Sequence, residues 1–344
     1  MLASPIQEGR NQNQDSSSQW ISGLAEFQQP SVGKAAWQIV NTMVPYFALW
    51  GLMAFMHARG VSFWWTLIPI VVAAGLTVRI FILFHDCTHD CFFPSRRANR
   101  ILGYITGIIT FTPFDEWKKK HALHHAGSGN LDKRGIGDVW TMTVDEFREA
   151  PLKTQLYYRF YRNPFILLVL GAPYLFLIQH RFSTSVTGPA GKRSVNVTNL
   201  AIVGMIVAGV ALFGWKTYLL IQLPIMLLAS MAGVWLFYVQ HQYERPYWAP
   251  TEEWDPVAAA MEGSSYYKLP QPLQWFSGNI GLHHIHHLRA RIPNYNLQAC
   301  YNKIPRLQQI EPLTLFGSLK CLFLNLWDDE KQTMVSFRAA KQAS

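Results

Sequence analysis

The chain has 344 residues, of which 50% are hydrophobic, 14% aromatic and only 15% charged. Soluble domains carry roughly 25% charged residues, so this composition excludes disorder over most of the length and an ordinary soluble enzyme, while a mean hydropathy of +0.06 is too low for a bundle of spans alone. The net charge of +9, in so apolar a chain, points to anionic lipid or an acidic protein as partner, with no nucleic acid.

Residues 1–34 are polar, with a polar run at Asn11–Ser18 and no basic start leading into an apolar core. They read as a flexible cytosolic tail, with no cleavable signal peptide. Two apolar segments follow, 35–56 and 61–84. At ~1.5 Å per residue, each can cross a hydrocarbon core ~30 Å thick. The first has no charge. The second has only Arg79, placed near one end, where it can snorkel. His85-Asp86-Cys87-Thr88-His89 comes directly after it. If the helix continues, these two histidines share one face, a turn apart.

The next apolar stretch, 101–114, contains Gly103, Gly107 and Pro113 and is short for a span, so it is expected to be interfacial or re-entrant. His121-Ala122-Leu123-His124-His125 follows, again at helical spacing. Residues 164–179, with Gly171 and Pro173, are also short. The uncharged segments 194–215 and 217–240 complete four spans. From Tyr243 onward the chain is mixed in polarity and reads as a helical cytosolic cap, which carries His283-His284-Ile285-His286-His287 and ends in a loose or helical tail, 331–344. Cys87, Cys91, Cys300 and Cys321 form no paired framework, which fits a reducing environment. The fold class expected is an all-α integral membrane protein with about four spans.

Three histidine motifs that build one site must all face one side of the membrane, so an even number of crossings must separate them. Placing 101–114 and 164–179 in the cytosolic leaflet satisfies this. Arg159 and Arg162 before the second stretch, and Arg181, Lys192 and Arg193 after it, place both flanks in the cytosol by the positive-inside rule. Six crossings is the alternative.

Eight histidines stand at helical spacing in the three motifs: His85, His89, His121, His124, His125, His283, His286 and His287. Imidazole is the commonest nitrogen ligand of transition metals. A zinc site takes about four ligands, so eight are too many for one ion and about right for two. A single HxxxH is more often an ordinary helix surface. The recurrence of three motifs, each beside an apolar segment, argues for a dinuclear centre. Histidine ligation without thiolate points to non-haem iron and oxygen chemistry. Asp86, Asp90, Glu116, Asp138, Asn279 and His284 are candidates to orient the rings through their other nitrogens, as metal-bound histidines require. His57 and His180, alone beside apolar segments, read as structural.

HDCTH, HALHH and HHIHH resemble the three histidine boxes of the membrane fatty-acid desaturase superfamily. The flanking Asn130–Gly135, Phe237–Gln242, Glu262–Ser265 and Gly278–Leu282 are similar to its bacterial acyl-lipid branch. The resemblance covers nearly the whole chain after about residue 30, with a desaturase domain at 35–330. It implies O2-dependent insertion of a cis double bond into an acyl chain, two iron ions, and no bound flavin or haem. It also implies one further histidine ligand outside the boxes, for which His241 is the candidate. The acyl chain would enter from the bilayer. Phe92, Phe93, Phe111, Phe114, Trp117, Trp140, Trp275 and Phe276 are candidates to line its tunnel, or else to anchor and pack.

No segment resembles a nucleotide-binding loop or a fused electron-transfer domain, so electrons are expected from an external donor such as ferredoxin or flavodoxin. Arg96, Arg97, Lys118, Lys119 and Lys120 are candidates to dock an acidic carrier or to hold lipid headgroups. The expected location is the bacterial cell membrane, with the site on the cytosolic side. A hydroxylase of an alkane, sterol or carotenoid on the same scaffold is the alternative. A metal transporter would instead place its ligands within the spans.

Overall fold

The computed structural model describes residues 20–342. Among the described residues, four helices are long and apolar enough to cross a membrane. They form two hairpins. The first pairs α1 (Val32–Ala58) with α2 (Phe63–Thr88) through Gly60, and α1 begins where the Ser31 side chain accepts from the Lys34 N–H. Between α2 and the second hairpin lie α3 (Arg96–Ile109), α4 (Phe114–Gly127), α5 (Val144–Glu149), α6 (Leu152–Tyr161) and α7 (Ala172–Leu177). The second hairpin is α8 (Gly188–Phe213) and α9 (Trp215–His241), joined at Gly214. Gly60 and Gly214 both have positive φ, which glycine adopts without steric cost. The centre of the bundle is α2, the most buried of the four long helices, packed against α1, α3 and α9.

The cap adds α10 (Pro256–Glu262), α11 (Gln271–Phe276), α12 (His283–Leu288), α13 (Asn294–Lys303) and α14 (Phe337–Gln342). It also contains short strands that the helical periodicities do not announce: β1 (Met142–Thr143), β2 (Tyr266–Lys268), β3 (Pro312–Thr314), β4 (Leu326–Asp328) and β5 (Thr333–Val335). β1 runs parallel to β4 and β4 antiparallel to β5, with Leu326 opposite both Met142 and Val335. β2 pairs in parallel with β3.

Three expectations are corrected here. Residues 20–34 are not a loose tail. Leu24, in the 3-10 turn Gly23–Gln28, is fully buried against Leu282, Ile285 and Leu297, where its apolar side chain leaves water. Residues 1–19 lie outside the described residues. The C-terminal stretch, expected to be loose or helical, is helical at α14 but not loose: Met334 is buried on β5 and Ala340 on α14. Arg79 does not snorkel. Its guanidinium lies 4.1 Å from the Trp275 ring, with Nε donating to Thr42 Oγ1 at 3.0 Å and Nη1 to the Trp275 carbonyl. The cause is α11, which wedges against α2 at Gly75, where an added Cβ would sit 2.9 Å from Phe276, and gives Arg79 partners within the protein.

The two short apolar stretches differ from each other. Residues 101–109 belong to α3, which packs along α2 through Leu102, Gly103 and Thr106 and leaves Ile101 and Ile105 exposed. Residues 166–177 are a π-helical turn running into α7, set at 71° to α6.

Candidate metal centre

Both hairpins return their histidines to the same end of the bundle. His85 lies in the last turn of α2 and His89 caps it; His241 ends α9. α4 starts after Pro113, which is pre-set for a helix entry, and presents His121, His124 and His125 at i, i+3 and i+4. α12 brings His283, His286 and His287. Its position depends on the preceding loop, where Gly278 and Asn279 both have positive φ. An added Cβ at Gly278 would lie 2.8 Å from Ile82 of α2, so glycine lets the third box approach the first.

The nine rings fall into two groups. His85, His89, His121, His125 and His286 form one, and His124, His241, His283 and His287 the other, the ligand atoms of each group lying within 4.8 Å of one another. His121 Nε2 is 3.0 Å from His85 Nε2 and 3.1 Å from His125 Nε2. His286 Nε2 is 3.0 Å from His125 Nε2, and His241 Nε2 is 3.0 Å from His283 Nε2. Nitrogens bound at right angles to an ion at roughly 2.1 Å would lie about 3 Å apart. The Nε2 atoms of His89, His124 and His287 are buried without a hydrogen-bond partner. Buried polar atoms left so are costly, and a cation at the centre of each group would satisfy them. The residues therefore fit a two-ion centre. A lone HxxxH surface does not explain this convergence, and the ligands sit at the helix ends rather than mid-span.

Burial holds the pKa of His89, His121, His125, His283, His286 and His287 well below the usual histidine range, and neighbouring histidines push the same way. These rings are neutral at pH 7 and keep lone pairs for a metal. The stacked rings of His125 and His287, 4.2 Å apart, join the two groups. A cavity of about 260 Å³ reaches the same two residues and is lined also by Ile21, Ser128, Trp254 and Arg289.

Two of the proposed orienting carboxylates touch rings. Asp86 meets His85 Nδ1 at 3.2 Å, and Asp138 meets His124 Nδ1. The others act elsewhere. Asp90 pairs with Lys118 at 2.7 Å. Glu116 accepts from Thr184 and Thr187 and pairs with Lys120 at 2.8 Å, clamping the turn before α8. Asn279 bonds Gln274 and the Asn294 carbonyl. His284 turns away to the Leu307 carbonyl at 3.2 Å. His57 and His180 join neither group.

The aromatic candidates do not form one wall. Trp117 stacks on His121 at 4.1 Å and meets Phe84, which packs on Phe114. Phe92 packs on Phe93 and Tyr295, Phe111 on Ile202 and Met226, and Trp140 on Tyr158. Trp275 holds Arg79, and Phe276 packs at Gly75. Phe237 was missed from sequence, although it stands one turn before His241. Its ring lies 5.3 Å from His124 and 5.2 Å from His241. Asn294 was also missed. Its N–H and Nδ2 donate to Asp86 Oδ2 at 2.7 and 2.8 Å, while its Oδ1 accepts from Gln38 at 2.7 Å. Of the five cationic candidates, Arg96, Arg97 and Lys119 are exposed, whereas Lys118 and Lys120 are engaged by Asp90 and Glu116.

Residues 62–312 match the family model described as fatty acid desaturase. The chain is 48% identical over 320 residues to a fatty acid desaturase of Bacillus subtilis (strain 168), covering 92% of this chain and 90% of that one. It is 24% identical over 243 residues to an sn-1 oleoyl-lipid 12-desaturase of Synechocystis, covering 65% of this chain and 64% of the relative. It is 23% identical over 282 residues to an sn-1 acyl-lipid omega-3 desaturase (ferredoxin) of Nostoc, covering 79% and 75%.

Proposed function

Because the chain belongs to the fatty acid desaturase family, we propose that it inserts a cis double bond into acyl chains of membrane lipids at a centre of two irons. The observation that carries this reading is the convergence of nine histidines from four helices into two groups. His85, His89, His121, His125 and His286 would hold one ion, and His124, His241, His283 and His287 the other. When bound, the irons supply the activation of O2. The reaction takes a –CH2–CH2– unit, O2, two electrons and two protons to –CH=CH– and two waters.

The protein's part is to hold, orient and dry the site. Asp86 and Asp138 fix the His85 and His124 rings. Trp117 and Phe237 cover the rings from the bilayer side of the helices that carry them. The relatives named for acyl-lipid and oleoyl-lipid substrates support a lipid-linked substrate. The relative named for ferredoxin supports a soluble acidic electron carrier, for which Arg96, Arg97 and Lys119 are the free cations. The four long apolar helices, and the basic flanks of 101–114 and 164–179 read by the positive-inside rule, support a centre at the cytosolic face of a bacterial cell membrane.

The test is expression in a host lacking desaturases, with double bonds located by gas chromatography–mass spectrometry. A new cis bond in lipid-esterified chains is expected, together with iron in the purified protein. Hydroxylated products without unsaturation would overturn the reading in favour of hydroxylation. His121→Ala and His286→Ala should each abolish the product while the protein stays in the membrane; near-parental activity would remove that residue from the metal shell.

A further inference from the structure

We propose that the 3-10 turn Gly317–Phe323 in the cap is a leaflet-embedded foot, inserted among lipid headgroups and upper acyl chains at the metal-bearing end of the bundle. The inference needs the membrane spans and not the reaction.

The turn has two faces. Ser318 and Cys321 point inward and are 0% and 2% exposed, whereas Phe316, Leu319 and Phe323 are 82%, 52% and 66% exposed. Three large apolar groups on one side of a short element form a patch that an aqueous surface does not favour. A short amphipathic element of this kind lies in a membrane interface.

The fold sets its height. Tyr238 of α9 donates to the Cys321 carbonyl at 2.9 Å, and Tyr267 Oη lies 3.3 Å from Trp235 Nε1 and 3.1 Å from Ser318 Oγ. The turn is therefore level with Trp235–Tyr238. At ~1.5 Å per residue, that is within about 9 Å of His241 along the axis, on the bilayer side of it. The outward face is continuous with more apolar surface. Tyr158 and Arg162, on and just after α6, hold the carbonyls of Asn325 and Leu324 at 2.5 and 2.7 Å. The outer face of α6 exposes Leu152, Leu156 and Phe160 at helical spacing. Lys320 and Lys153 are exposed on these two elements, where they suit anionic headgroups. Continuity with the span α9 and this basic fringe identify the occupant as lipid.

The experiment uses the full chain in lipid nanodiscs. The native cysteines are buried, so Phe316→Cys or Leu319→Cys will carry a single nitrobenzoxadiazole dye, with Glu252→Cys as an exposed reference and the dye-treated parent as blank. Each labelled protein must elute and retain metal as the parent does. The dye at 316 or 319 should lose most of its fluorescence to lipids spin-labelled near the headgroup, and be quenched by aqueous iodide several-fold less than at 252. Quenching by iodide as strong as at 252 would overturn the proposal. So would protection from both quenchers, which would mean that protein, such as a second copy of this chain, covers the face.

Discussion

Asp86 stands beside His85, but its direction is set from far along the chain. Asn294 gives it two hydrogen bonds, and Gln38 on α1 holds Asn294 in turn. All are buried, so removing one partner leaves an acceptor dry and free to rotate. Asn294→Ala should therefore lower iron retention about 10–100-fold, the usual effect of losing a group that orients a metal-bound histidine. Measured iron per protein after mild chelation checks this, with Asn294→Asp as companion: two carboxylates at one site repel and should not rescue. Retention at the parental level in Asn294→Ala would show that Asp86 is held without it. The eight histidines of the three motifs were legible because helical spacing repeats within each motif and each motif adjoins an apolar run, whereas His241 stands in no motif and came from the resemblance alone. Asn294 was not legible, since no local pattern links positions 86 and 294. Asp90, Glu116 and Asn279 show the converse. Proximity in sequence to a box made them candidates, yet their side chains turn to Lys118, to Thr184 and Thr187, and to Gln274.

Among the elements, long ones were read well and short ones poorly. The four long helices follow from uninterrupted apolar runs, and glycine or proline marks their joints. The turn at Gly23–Gln28 and the wedge α11 did not stand out. Leu24 is one apolar residue in a polar stretch, and six residues of α11 are too few to show a period. Their positions come from tertiary packing against α12 and α2. The joint between α3 and α4 was legible only as a break, and the structure shows its tolerance to be small. An added Cβ at Gly103 would collide with the buried Phe114 ring. Gly103→Ala should then destabilise by about 1–3 kcal/mol, the range for overpacking a close-packed site. The thermal midpoint of the purified protein should fall, and Phe114→Leu in the same chain should recover part of the loss. An unchanged midpoint in Gly103→Ala would mean that α3 can shift freely over α4.

For the whole molecule, the arrangement of charge and the side of the membrane are the open consequences. Ser183 is exposed just after the 166–177 segment and before α8. If that segment only dips into the leaflet, Ser183→Cys should react with an impermeant maleimide in inverted membranes and not in intact cells. Reaction in intact cells would make the segment a fifth crossing. Carrier docking makes a separate demand. With Lys118 and Lys120 engaged, the exposed cations among the docking candidates are Arg96, Arg97 and Lys119. Reduction by an acidic carrier should slow several-fold as salt is raised, and reversing these three charges to Glu should flatten that dependence. An unchanged salt profile after reversal would place docking elsewhere.

The histidine groups are interleaved along the chain. α4 gives His121 and His125 to one and His124 to the other, and α12 gives His286 to one and His283 and His287 to the other. The first group is not complete until residue 286 of 344 has been synthesised, and the second not until residue 287. Neither group can therefore hold its full set of ligands until all four long helices and α12 have been made. Because both groups close on the same two helices, the first ion to bind also positions ligands for the second. Metal titration of the purified protein should accordingly be cooperative, with a single-ion form scarce at every step.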